Sequence, residues 1–134
     1  MVKLSAVIIT FNEQHNIERC LKSLQGVVDE IIVVDSFSTD KTEEICKSFN
    51  VKWVQNPFEG HIEQKNFALN LAANDHILSL DADEALNDEL RDSILKIKEN
   101  FSCDGYYFNR LTHYVDKWIY NCGWYPDQKL RLLD

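Results

Sequence analysis

Two aspartates one residue apart, Asp81 and Asp83 in HILSLDADE, follow directly on a short apolar run. If the turn there is tight, both carboxylates point into one small volume and their mutual repulsion calls for a cation. Oxygen ligands suit Mg²⁺ or Mn²⁺, which keep some water and take further ligands from substrate phosphates, so a metal-bridged diphosphate follows as the partner. The ordinary alternative for such a pair ahead of a helix is capping and solvation. Asp35 stands at the end of another apolar run, Ile31 to Val34. A lone carboxylate there accepts hydrogen bonds from a base imide or a ribose, as acidic residues do in dinucleotide folds, or else forms a local Asx turn. Asn12 and Glu13 follow a third such run.

These residues are useful only if the fold brings them together, and the apolar pattern says how. Leu4 to Thr10 is β-branched and nearly all apolar, the mark of a strand buried on both faces. From His15 to Leu24, residues Ile17, Cys20, Leu21 and Leu24 recur at i, i+3, i+4 and i+7, a helix stripe. Ile31 to Val34 is a second strand, and Ser38, Thr39 or Asp40 can cap a helix carrying Thr42, Ile45, Cys46 and Phe49 inward. Val51 to Gln55 reads as a third strand, and Asn56 to Gly60 as a loop. His61 to Ala73 reads as a helix with Ile62, Leu69 and Ala72 or Ala73 inward. Ile77 to Leu80 is a fourth strand, followed by a helix within residues 86–99 whose stripe is Leu86, Leu90, Ile94 and Ile97. From Gly105 the aromatics Tyr106, Tyr107, Phe108, Tyr114, Trp118, Tyr120, Trp124 and Tyr125 crowd a stretch without helical period, which predicts β structure and loops.

Strands alternating with helices imply parallel βαβ units, hence an α/β fold with an open, mostly parallel sheet, helices on both faces and an aromatic-rich β/loop tail. Ligands of such sheets bind outside the carboxyl ends of the strands, where strand order reverses. Asn12-Glu13, Asp35 and Asp81-Ala82-Asp83 would all lie on that edge.

The 134 residues suit a single domain, and 45% hydrophobic with 27% charged residues is ordinary for a folded globular chain. A net charge of −8, from 22 acidic and 14 basic residues, disfavours nucleic acid as a partner. Cys20, Cys46, Cys103 and Cys122 form no CxxC pair, and His15, His61, His76 and His113 share no ligand spacing. A reduced, cytoplasmic setting is expected. The opening MVKLSAVIITF is too short for a signal segment or a membrane span.

LSAVIITFNE, EIIVVDSFSTDKT, QKNFALNLA and HILSLDADE, in that order, resemble the amino-terminal half of the family-2 inverting glycosyltransferases of the GT-A fold, over roughly residues 3 to 100. The tail, NCGWYPD followed by KLRL, resembles the branch that includes lipopolysaccharide-core β-glucosyltransferases. The resemblance implies sugar transfer from a nucleoside-diphosphate sugar, UDP-sugar favoured, to a hydroxyl of a saccharide or lipid-linked acceptor, with Mn²⁺ or Mg²⁺ as cofactor. It places Thr10, Phe11, Asn12 and Glu13 in the nucleotide pocket, Asp35 on the pyrimidine base, Asp81 on the ribose or the metal, and Asp83 on the metal. Lys65, where many relatives carry Arg, would approach the base or the diphosphate with a point charge in place of a planar fork. An inverting displacement wants a general base. Asp127, Asp116 and Asp104 are candidates, and Asp127 is preferred because it follows Trp124-Tyr125-Pro126 and matches the tail motif.

On this reading residues 1–100 are the nucleotide-sugar-binding part and 101–134 the start of an acceptor-side part. That part is expected to be incomplete, in a truncated or a naturally short protein, because Asp134 falls inside what reads as a continuing β segment. Donor binding without transfer is the second expectation, and dimerisation through the exposed β end a third. With a lipid-linked acceptor the protein would work at the inner membrane face. A receiver-like signalling module fits less well, because the place of its acidic pair after the first strand is taken by Thr10-Phe11-Asn12-Glu13.

Overall fold

The computed structural model describes residues 2–99 in full and the backbone of three further strands, 105–110, 115–119 and 129–133. The elements run β1 (Leu4–Thr10), α1 (Ile17–Leu24), β2 (Glu30–Asp35), α2 (Thr42–Lys47), β3 (Lys52–Gln55), α3 (His61–Leu71), β4 (His76–Asp81), α4 (Asp88–Glu99), β5 (Gly105–Arg110), β6 (Val115–Ile119) and β7 (Lys129–Leu133). The seven strands form one sheet in the order β3-β2-β1-β4-β7-β5-β6. β1 pairs in parallel with β2 and β4, and β2 with β3, while the tail strands join antiparallel through β7 against β4. The expected open parallel sheet is thus built by residues up to Asp81, and the aromatic-rich tail extends it.

Alternation along the strands divides the core. Leu4, Ala6 and Ile8 of β1, Ile31 and Val33 of β2, and Leu78 and Leu80 of β4 face α1, α2 and α4, packing on Ile17, Cys20, Leu21, Leu24, Cys46, Leu90, Ile94 and Ile97. The four residues predicted as the α1 stripe are the four buried in that helix. Val7, Ile32 and Val34 point the other way and meet Ala68 of α3. Burying each such branched side chain contributes about 1.5–3 kcal/mol.

The orientation expected for α3 is corrected. Leu69 and Ala72 pack toward the sheet as expected, but Ile62 is 74% exposed, and the fully buried residues of the helix are Gln64 and Ala68, one helical turn apart. At the amino end of α3 the sheet offers polar strand ends rather than apolar surface, so a carboxamide belongs inside and Ile62 falls on the solvent side. Gly60 opens this helix at φ 142°, a conformation that a side chain would strain.

At the opposite end of the sheet, β1 is anchored to the loop before β2. Asp29 Oδ2 accepts from the Leu4 amide at 2.8 Å and from Lys98 Nζ at 3.0 Å, and Lys98 also donates to the Val27 carbonyl at 2.9 Å. Burial pushes the Asp29 carboxyl up, but the Leu4 amide and the Lys98 ammonium outweigh it and hold it below its ordinary value of 3.8. A carboxylate depressed in the folded state stabilises above its unfolded value, and this contribution is lost as pH falls through the folded one. In urea titrations between about pH 5 and about pH 3, the wild-type midpoint should therefore drop more steeply than that of Asp29→Asn; parallel curves would show that the carboxylate contributes nothing.

Candidate functional site

The chain leaves β1 for β2 and β3 on one side and returns to β4 on the other, so the order reverses between β1 and β4. Register aligns the strand ends there: Thr10 lies opposite Asp35, Ile9 opposite Asp81, and Asp35 opposite Gln55. A cleft of about 340 Å³ opens above this edge. Thr10, Phe11 and Glu13 form its β1 side, Asp81, Ala82 and Asp83 its β4 side, and Phe58, His61, Gln64 and Lys65 its α3 side, with Ser36 at the base of the β2 turn.

The D-x-D turn is fixed from beneath. Ala82 is 3% exposed and belongs to the core, while Asp83 is exposed and Asp81 half-buried. Glu84, itself buried, accepts from the Asp81 amide through Oε1 at 2.9 Å and returns its own amide to the Asp81 carbonyl at 3.0 Å. Arg19 on α1 donates to the Asp83 carbonyl at 3.1 Å. Neither Glu84 nor Arg19 was expected as a contributor; the spacing of Glu84, three residues after Asp81, is the signal that marks a reciprocal turn. Glu84→Ala takes the acceptor from the half-buried Asp81 amide and should cost about 1–3 kcal/mol, together with a loss of Mn²⁺ affinity. Glu84→Gln keeps an acceptor and should retain most of both, as urea titration and metal calorimetry would register.

Two predicted residues are tied into the loops beside the cleft. The Asp35 side chain is fully buried, with Oδ2 accepting from the Ser38 amide at 2.7 Å and Oδ1 from the Ser38 hydroxyl at 2.5 Å. Asn12, at φ 50°, accepts from the Thr39 amide at 2.8 Å and gives its own amide to Ser38 Oγ at 2.7 Å. Glu13 and Gln14 continue the pattern, their amides donating to Thr42 Oγ1 and Asp40 Oδ2. The loops after β1 and β2 are thereby locked together, and among the described residues neither Asp35 nor Asn12 lines the cleft. Asp35 closes an Asx-type turn onto the Ser38 amide, and the Thr42 amide that opens α2 donates to Asp40 Oδ1 at 2.9 Å.

On the α3 wall, Gln64 is 1% exposed and ties two strand ends together, donating to Ser36 Oγ at 3.1 Å and accepting from Asn56 Nδ2 at 2.9 Å. Lys65 Nζ lies 3.8 Å from Asp81 Oδ1. Thr10 Oγ1 is buried on the cleft wall without a hydrogen-bond partner among the described residues, a cost that a polar ligand would remove. Burial first, then the charges of Asp83, Asp40 and Asp81, push the Glu13 carboxyl above its ordinary 4.5. The negative charge of this edge therefore wants a cation. No three His, Cys, Asp or Glu side chains among the described residues form a ready-made cage. Two carboxylates beside an open cleft nevertheless fit Mg²⁺ or Mn²⁺, which take one or two protein carboxylates and complete their shell with phosphate and water. Asp127, Asp104, Tyr114, Tyr120, Trp124 and Tyr125 lie outside the described residues.

A parallel sheet with a polar cleft at its reversal point and a D-x-D turn on the rim defines an α/β nucleotide-binding architecture. The chain belongs to glycosyl transferase family 2, whose model matches residues 5–131. It is 42% identical over 132 residues to an uncharacterised glycosyltransferase of Rickettsia typhi, covering 98% of this chain and 43% of that protein. It is 36% identical over 94 residues to the lipopolysaccharide core biosynthesis glycosyltransferase LpsC of Rhizobium meliloti, covering 66% of this chain and 34% of that one. The chain thus spans less than half the length of these relatives. Among solved structures, S. aureus TarS 1-349 in complex with UDP superposes with a TM-score of 0.61 at 32% identity, over 77% of this chain and 34% of that one. Glucosyl-3-phosphoglycerate synthase from Mycobacterium tuberculosis, in complex with Mn²⁺, UDP and glucosyl-3-phosphoglycerate, superposes with a TM-score of 0.52 at 29% identity, over 61% and 34%. The GT-A fold expected from the motifs is therefore the fold of the chain. No helix among the described residues is long and apolar enough to cross a membrane.

Proposed function

We propose that this chain is the donor-binding part of a metal-dependent inverting glycosyltransferase that uses a UDP-sugar. The observation that carries the reading is the convergence, at one sheet edge, of an unpartnered Thr10 hydroxyl, the Lys65 ammonium and the Asp81–Asp83 turn. UDP is favoured because two solved relatives of this fold hold it, one of them with Mn²⁺.

Thr10, Phe11 and Glu13 form the nucleotide side of the site, and Lys65 faces the diphosphate. Asp83, with Asp81, holds Mn²⁺ or Mg²⁺, which when bound offsets charge on the departing diphosphate as a Lewis acid. Asp35 and Asn12 shape the pocket by locking the two loops. An acceptor hydroxyl attacks the sugar carbon from the face opposite the diphosphate, so a single displacement inverts the anomeric centre. Asp127 is the proposed general base, in the acceptor-side part that begins after residue 100. The kinship with LpsC supports a saccharide or lipid-linked glycan acceptor of the cell envelope, reached at the inner membrane face. Donor binding is the work of residues 1–100, and acceptor choice that of the part that follows.

Product stereochemistry tests the reaction. With an α-linked UDP-sugar and a competent acceptor, proton NMR of the new linkage should show the β coupling constant; an α product would contradict a single inverting displacement.

A further inference from the structure

Among the described residues that line the cleft, Glu13, Asp81 and Asp83 face one full positive charge, that of Lys65, while Arg19 stands outside the lining on the Asp83 carbonyl. Lys65 and Asp81 stand 3.8 Å apart with side chains 39% and 35% exposed, so solvent screens the pair and little holds it closed. One ammonium cannot neutralise both a carboxylate and a diphosphate, and lysine, a compact charge on a flexible stem, can move between them.

We infer that Lys65 is an exchangeable counter-ion, which holds Asp81 in the unliganded protein and is released to the diphosphate when a divalent cation engages Asp81 and Asp83. The inference rests on the donor-site reading above and adds a sign to it. A lysine that only contacted phosphate would help UDP and leave the metal alone. A lysine that occupies the metal's carboxylate competes with the metal, and its departure couples the two ligands. Metal and nucleotide then each strengthen the other through Lys65, besides any direct contact between them, and by linkage the coupling is reciprocal.

The test measures Mn²⁺ binding without nucleotide, by the electron paramagnetic resonance of free Mn²⁺, and UDP binding with and without Mn²⁺, in the wild type, Lys65→Met and Lys65→Arg. Lys65→Met should bind Mn²⁺ alone roughly three- to tenfold more tightly, because a competing charge about 4 Å from a ligand oxygen is gone. It should bind UDP in the presence of Mn²⁺ roughly tenfold more weakly, because a charge-assisted contact is lost. Lys65→Arg, which keeps the charge and grips a carboxylate with two donors, should bind Mn²⁺ alone no more tightly than the wild type. Unchanged or weakened Mn²⁺ binding by Lys65→Met, in a wild type that binds UDP with Mn²⁺, overturns this inference and leaves the donor site standing. A wild type that binds neither Mn²⁺ nor UDP overturns both.

Discussion

Asp83→Asn is expected to remove most of the metal-dependent affinity for UDP, a loss of roughly a hundredfold or about 2.7 kcal/mol, while leaving the fold intact. The asymmetry follows from the turn. Ala82 is packed in the core and Glu84 closes the turn behind it, whereas Asp83 is exposed and its carbonyl, not its carboxylate, receives Arg19. An amide at this position keeps the shape and loses the charge. Asp81 alone offers the metal one carboxylate where the turn otherwise offers two. Thermal melting should match the wild type within about 0.5 kcal/mol, and calorimetry with UDP and Mn²⁺ should show the loss. Undiminished metal-dependent binding would move the metal away from this turn.

Asp35→Ala should be costly in another way. Its carboxylate is fully buried and satisfies both the amide and the hydroxyl of Ser38, which in turn receives the Asn12 amide. Truncation leaves the half-buried Ser38 amide without its acceptor and unlocks the two loops, at about 1–3 kcal/mol. UDP affinity should fall along with stability, because Thr10 and Phe11 are positioned by the same lock. Urea denaturation and UDP titration of the one variant separate the two possible roles. A loss of stability and affinity together marks Asp35 as a positioning residue. A loss of affinity with unchanged stability would instead mean direct contact with the base, the role that the family resemblance implies.

The contrast between these aspartates shows what the sequence could and could not say. Apolar periodicity reports burial directly, so β1 and the α1 stripe of Ile17, Cys20, Leu21 and Leu24 were legible. The D-x-D turn was legible as two carboxylates placed just after a buried strand, while the burial of Ala82 beneath it came from the fold. Polar residues carry no such mark. Whether a carboxylate faces a ligand or a neighbouring amide depends on a loop brought near by the fold: Asn12 meets Thr39 across 27 positions, and Arg19 meets Asp83 across 64. Helix α3 misled for the same reason. Its inward face opens with Gln64, whose partners Ser36 and Asn56 lie on two other strand ends, and Ile62 is left in solvent. A receiver-like module is set aside by the family match and by the sheet, in which β1 lies between β2 and β4 with the D-x-D turn closing β4.

The most direct measurement is a calorimetric titration of the chain with UDP in Mn²⁺, in Mg²⁺ and in chelator. Saturable binding that needs either cation and disappears with chelator is the predicted result, and it would establish the cleft between β1 and β4 as a nucleotide-diphosphate site. No binding of UDP or any other nucleoside diphosphate under any of these conditions would contradict it.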